Sequence, residues 1–161
     1  MNDKKFFPWR SISLIIVSVA LTLLFLSPAA GQNESSNEQC EITLREIVAD
    51  NSGGEIDPAL KDITKDLKKL AYSSYRLEQT SRLTMRKGEK KIQELLGKNR
   101  LELTNDGLEE GKVRLKVKLS PDSGKEKSLE TTMRVPDGYT FIIAGPAYGG
   151  GVLFLAFTTK F

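Results

Sequence analysis

The chain has 161 residues, with 24 lysines and arginines against 21 aspartates and glutamates and a formal net charge of +3. That length holds one ordinary domain. It has no histidine and a single cysteine, which argues against a triad built on imidazole, excludes ordinary histidine-containing zinc centres and rules out a disulfide within the chain.

Lys4, Lys5 and Arg10 precede an apolar run from Ile12 to Leu26, and Ser27 to Gly31 supply small residues. Residues 1–31 therefore have the layout of an export signal. Cleavage after Ala29 or after Gly31 meets the small-residue requirement, whereas cleavage after Ala30 puts Pro28 at the critical position. The alternative is a retained membrane anchor, since the run falls just short of the roughly 20 residues that span a bilayer. Either reading sends the rest of the chain across a membrane, to the periplasm or beyond, or to the outer side of the inner membrane. The leader holds three basic residues and one acidic one, so the remainder carries 21 basic and 20 acidic groups. A nearly neutral remainder gives no reason to expect nucleic acid as a partner.

Gln32 to Gln39 is polar and low in complexity, a tether over residues 32–40 that precedes a single domain at 41–161. Asn33-Glu34-Ser35 has the form of a glycosylation acceptor. Cys40 is either buried at the start of a strand or paired between chains, and Glu38 and Gln39 before it argue against a lipidation site. Ile42 to Ala49 reads as a first strand, able to add at a sheet edge. Ile42, Leu44 and Val48 lie on one face, with Thr43, Arg45, Ile47 and Ala49 on the other. Asp50 to Gly54 ends it with turn residues.

Asp57 is suited to cap free amides and Pro58 to the first helical position. Leu60, Ile63, Leu67 and Leu70 recur at spacings of three and four, which predicts an amphipathic helix of about four turns over Pro58 to Ala71. Tyr72, Tyr75, Leu77, Leu83 and Met85 suggest strand structure interrupted around Glu78 to Ser81, with a turn at Lys87-Gly88-Glu89. Ile92 to Leu96 and Arg100 to Thr104 are short strands around Gly97-Lys98-Asn99. Asn105-Asp106-Gly107 reads as a turn.

From Gly111 the polarity alternates cleanly. Val113, Leu115, Val117 and Leu119 interleave with Arg114, Lys116 and Lys118, as in a half-buried antiparallel strand. Pro121-Asp122-Ser123-Gly124 reverses the chain into Leu129 to Val135, which should pair with it, and Pro136-Asp137-Gly138 reverses it again into Tyr139 to Ala144. A glycine-rich loop, Gly145 to Gly151, leads to the apolar strand Val152 to Phe157, which reads as covered on both sides. The expected architecture is α+β, an antiparallel, strand-rich sheet partly covered by one amphipathic helix, with the C-terminal strands as a meander.

Few residues form a pattern with chemistry in it. Asp106, Glu109 and Glu110 lack the spacing of a calcium loop, and Gly149 to Gly151 lack the lysine and threonine of a phosphate loop. Arg114, Lys116 and Lys118 face Glu130 and Thr132 across the expected hairpin, where charge pairing accounts for them. No catalytic residue, metal or cofactor is assigned. The candidate ligand or partner surface is Tyr139, Gly145, Tyr148, Gly149 and Gly150, at strand ends and in the glycine loop.

The stretch Val135-Pro136-Asp137-Gly138-Tyr139-Thr140-Phe141-Ile142-Ile143-Ala144-Gly145 resembles a hairpin element of bacterial secretins, the outer-membrane channel proteins of secretion and pilus systems. Gly151 to Phe157 adds a second local likeness. The likeness covers about a fifth of the chain and implies envelope location and association with a secretion machine. The order of leader, polar tether, helix and strand pairs is also similar to small uncharacterised envelope proteins of Gram-negative bacteria, from which no functional residue carries over. The expected role is a noncatalytic envelope accessory or protein-interaction domain, with an envelope protein or a second copy as partner. The alternative is a small carbohydrate- or peptidoglycan-binding domain, which needs Tyr139 and Tyr148 on one exposed face.

Overall fold

The computed structural model describes residues 39–122 and 127–161. The leader, with its signal or anchor, and the tether as far as Glu38 lie outside the described residues, as does Ser123-Gly124 of the expected reversal. Eight antiparallel strands make two four-stranded sheets. They are β1 (Gln39–Asp50), β2 (Ser74–Arg86), β3 (Lys90–Glu94), β4 (Arg100–Glu109), β5 (Lys112–Ser120), β6 (Leu129–Pro136), β7 (Thr140–Tyr148) and β8 (Gly151–Lys160). The first sheet has the order β2-β1-β8-β7 and the second β3-β4-β5-β6.

Strands adjacent in sequence pair everywhere except β2–β3 and β6–β7, so the expected C-terminal meander is broken between β6 and β7, and pairing of β8 with β1 joins the last strand to the first. The chain crosses between sheets twice, at Lys87-Gly88 and at Asp137-Gly138. Across the second crossing the Gly138 amide donates to the Thr159 carbonyl (2.8 Å), and the Thr159 hydroxyl donates to the Pro136 carbonyl (3.0 Å). β6 and β7 thus follow one another without pairing, each at the edge of its own sheet.

The alternation of β5 is realised as read. Val113, Leu115, Val117 and Leu119 are buried and meet Ile42, Leu44, Val48, Leu153, Leu155 and Phe157 of the first sheet in a filled interior between the layers. The opposite face of the first sheet is covered too, where Ile47, Ala49, Phe154 and Ala156 pack against Leu60, Ile63 and Leu67. Both β1 and β8 are therefore apolar on two faces, the composition of central strands. The first strand is not an edge addition, because β2 pairs with one side of it and β8 with the other.

The expected four-turn helix is much shorter. A 3-10 helix at Pro58–Ile63 runs into a single α-helical turn at Thr64–Leu67, so the fold is mainly β rather than α+β. Asp57 caps it as read, accepting from the Ala59 amide at 2.8 Å. Termination follows from hydrogen bonding, since the Leu67 carbonyl accepts from the buried Tyr75 hydroxyl (2.8 Å) and the Leu70 amide (3.0 Å). Arg45 reaches from β1 to the Asp62 carboxylate at 2.8 Å and pins the arm to the sheet. That hydrogen bond holds the Asp62 carboxyl below its ordinary range.

Three turn readings change. Asn105-Asp106-Gly107 is a bulge inside β4, where the buried Asn105 donates from its side-chain amide to the Met85 carbonyl (3.2 Å) and accepts the Gly107 amide (2.8 Å). The reversal comes later, at Glu110-Gly111. The Glu78 to Ser81 interruption is a bulge in an unbroken β2, with the register shifting opposite Glu46 and Ile47. The Gly145 to Gly151 loop contracts to Gly149-Gly150, whose φ values of +59° and +82° suit a tight hairpin turn. β7 runs on to Tyr148 across a bulge between Ala144 and Ala147.

Candidate functional site

Among the described residues nothing covers the outer face of the second sheet, which is almost wholly polar. Lys90 pairs with Glu102 (2.7 Å), Lys118 with Glu130 (2.7 Å) and Lys116 with Asp106 (3.0 Å). Glu109 lies between Arg114 (3.8 Å) and Arg134 (3.2 Å). Cations and carboxylates alternate across the strands, so the face has no single sign to attract a phosphate backbone. These exposed pairs add little stability.

Inside, one acidic side chain stands out. Glu46 is fully buried on the core-facing side of β1, in line with Ile42, Leu44 and Val48. Its Oε2 accepts the Leu96 amide at 2.8 Å, while Oε1 has no partner. Burial pushes its carboxyl above the ordinary value. It ties the Leu96–Lys98 turn of the second sheet to the centre of the first. The alternation of β1 already puts residue 46 among the core positions, which is the signal that finds it. Cys40 is buried at the start of the same strand, and desolvation pushes its thiol up to about 11, far from a reactive thiolate. Among the described residues no group of three or more aspartates, glutamates or cysteines is placed to hold a metal ion.

The structure separates the residues of the candidate surface. Tyr139 precedes β7 at the crossing between sheets and is 56% exposed. Tyr148 ends the same nine-residue strand, roughly 30 Å away at the rise of an extended chain. Its ring lies against Gly97 and packs on the core. The two tyrosines stand at opposite ends of β7 and Tyr148 packs inward, so they do not form one exposed tyrosine-lined sugar groove. Gly145 lies within β7, where a Cβ would come 2.9 Å from the Leu153 carbonyl oxygen and 3.3 Å from Leu119 Cδ2. It serves close packing of the layers. Gly149 and Gly150 form the exposed turn.

What the structure does gather is the flank where β6 and β7 lie at the edges of their sheets. Exposed Leu129, Tyr139 and Phe141 stand along it, and Phe161 lies near the crossing, its amide donating to the Asp137 carboxylate at 2.9 Å. A shallow cleft further along is lined by Leu119, Pro121, Leu129 and Pro146. Apart from Tyr139 and Gly145, the residues of this flank escape a sequence reading, because membership of an edge depends on which distant strands pair.

Among the described residues no helix is long and apolar enough to cross a membrane. No protein-family model, curated protein or solved structure matches the chain.

Proposed function

We propose that this chain is a noncatalytic, exported interaction domain of the cell envelope, engaging a protein partner along the β6–β7 flank. The observation that carries the reading is the pair of open strand edges bordered by Leu129, Tyr139 and Phe141. An unpaired edge offers a row of backbone donors and acceptors to an incoming strand, and neighbouring side chains select which strand binds. The filled interior between the sheets supports the same reading, since the space in which a two-sheet fold of this kind holds a small ligand is taken by side chains. Export is supported by the arrangement of Lys4, Lys5, Arg10 and the apolar run to Leu26.

Two measurements on native material test it. Fractionating cells and sequencing the N-terminus should find the protein in the envelope, starting after Ala29 or Gly31 or retaining its leader in the membrane. Crosslinking in place should then trap it through cysteines introduced on β6 or β7. The intact polypeptide soluble among cytosolic proteins would overturn the reading.

A further inference from the structure

The four edge strands differ in how they are protected against pairing. β2 carries a bulge and the charged side chains Arg76, Glu78, Arg82 and Arg86, and β7 carries a bulge and Pro146. β3 is only five residues long and turns Lys91 toward the inner side. Short length, bulges, proline and inward charge are the devices that block edge-to-edge association. β6 has no bulge and turns no charge toward the core. Its eight residues run in unbroken register against β5, with proline only at the last position.

The order of side chains along β6 is complementary to its own reverse. Reading Leu129-Glu130-Thr131-Thr132-Met133-Arg134-Val135 from either end gives an aliphatic residue, then a charge, then a smaller or flexible side chain about a central threonine. If two copies pair antiparallel about a twofold axis through Thr132, Glu130 of each faces Arg134 of the other on the solvent side. Leu129 then faces Val135 on the core side. Shifting the axis by one residue removes both matches.

The local charge balance favours this arrangement. On the solvent face Arg114, Lys116 and Arg134 share two carboxylates, those of Asp106 and Glu109. Arg134 also stands directly opposite Arg114 in the β5–β6 ladder. A glutamate from a second copy supplies the carboxylate this end lacks. The exposed side chain of Leu129, 41% accessible, gains an apolar neighbour in the same step.

We infer that β6 pairs with β6 of a second copy of this chain, joining the second sheets of the two copies into one eight-stranded sheet. The inference rests on the proposal that the β6–β7 flank is an interaction surface, and it names the occupant. Symmetry makes the contact closed, so it yields a dimer and no filament.

The test uses the full-length chain, crosslinked in the cells that export it and then solubilised in mild detergent for sedimentation velocity. A Thr132→Cys variant treated with a short bismaleimide should give a species of twice the mass, and a Glu94→Cys variant on β3 should not. Glu130→Lys and Arg134→Glu each set like charges opposite one another twice in the dimer, and each should weaken association roughly tenfold. The combined Glu130→Lys/Arg134→Glu variant should restore it. The first reversal also removes the Glu130 partner of Lys118 and the second leaves Glu109 with Arg114 alone, and the double variant does not repair those intramolecular pairs. Recovery of the dimer therefore reports the interface and not the fold. A monomer at every concentration, or a double variant as weak as the singles, overturns self-pairing. If Thr132→Cys instead captures a different protein, self-pairing fails while the interaction reading stands. If cysteines on β6 and β7 capture nothing, both fail.

Discussion

Substituting Gly151 by alanine tests the pairing of the first and last strands at its tightest point. Gly151 begins β8 beside the end of β1, and an added Cβ would overlap the Ala49 carbonyl oxygen while lying 3.1 Å from the Ala49 carbonyl carbon and 3.2 Å from Asp50 Cβ. Two of these three atoms are backbone, so no side-chain rotation relieves the clash. Relief requires the β1–β8 ladder to part near the Ala49–Val152 pair. Overpacking of this kind costs about 1–3 kcal/mol, and rigid walls put Gly151→Ala near the upper end, about 3 kcal/mol. Gly150→Ala is the control. Its Cβ meets nothing within 4 Å, and its φ of +82° leaves only the conformational cost of about 1–2 kcal/mol. Urea unfolding of both variants should lower the midpoint for Gly151→Ala by on the order of 1–2 M and for Gly150→Ala by clearly less. Equal losses, or no loss at Gly151, would refute the close approach of β8 to β1 and with it the pairing of the first and last strands.

Two other perturbations bear on polar groups inside the fold. Because burial raises the Glu46 carboxyl in the folded state, folding takes up a proton there. Stability from this group is therefore greatest at low pH and declines as pH rises above about 4.5, the ordinary value, until the folded-state carboxyl ionises. Glu46→Gln keeps an acceptor for the Leu96 amide and should remove that decline, so the stabilities of the two proteins should diverge as pH rises above about 4.5. Parallel curves would mean that residue 46 is solvated. Tyr75→Phe removes one of the two donors to the Leu67 carbonyl and leaves the Leu70 amide; it should cost about 1 kcal/mol and speed amide exchange from Leu67 to Leu70 more than in β5.

The legible parts of this fold are those set by local periodicity. β5 follows from alternation over seven residues, and the two faces of β1 follow from the same rule. Asp57 and Pro58 announce the start of the arm. Its end is set by the hydroxyl of Tyr75, which belongs to the following strand and makes no mark on the spacing of Leu60, Ile63, Leu67 and Leu70. Asn105 and Gly107 carry turn chemistry, yet it is spent on a bulge because Asn105 finds a buried partner at Met85. Gly145 and Gly151 look like loop residues when their real constraint is the approach of another strand. The candidate surface suffered most. Tyr139 and Tyr148 are nine positions apart at opposite ends of one strand, and the exposed edge at Leu129 becomes visible only once β1 is known to pair with β8.

The bond between first and last strands also sets an order of events. Glu41 pairs with Lys160 and Ala49 with Val152, so the central ladder of one sheet joins segments separated by almost the whole domain. Contacts between such distant segments form slowly, and this one has no partner to form with until β8 has been made. A growing chain consequently stays unclosed until β8 has been made, the condition that the proposed export through a narrow pore would call for.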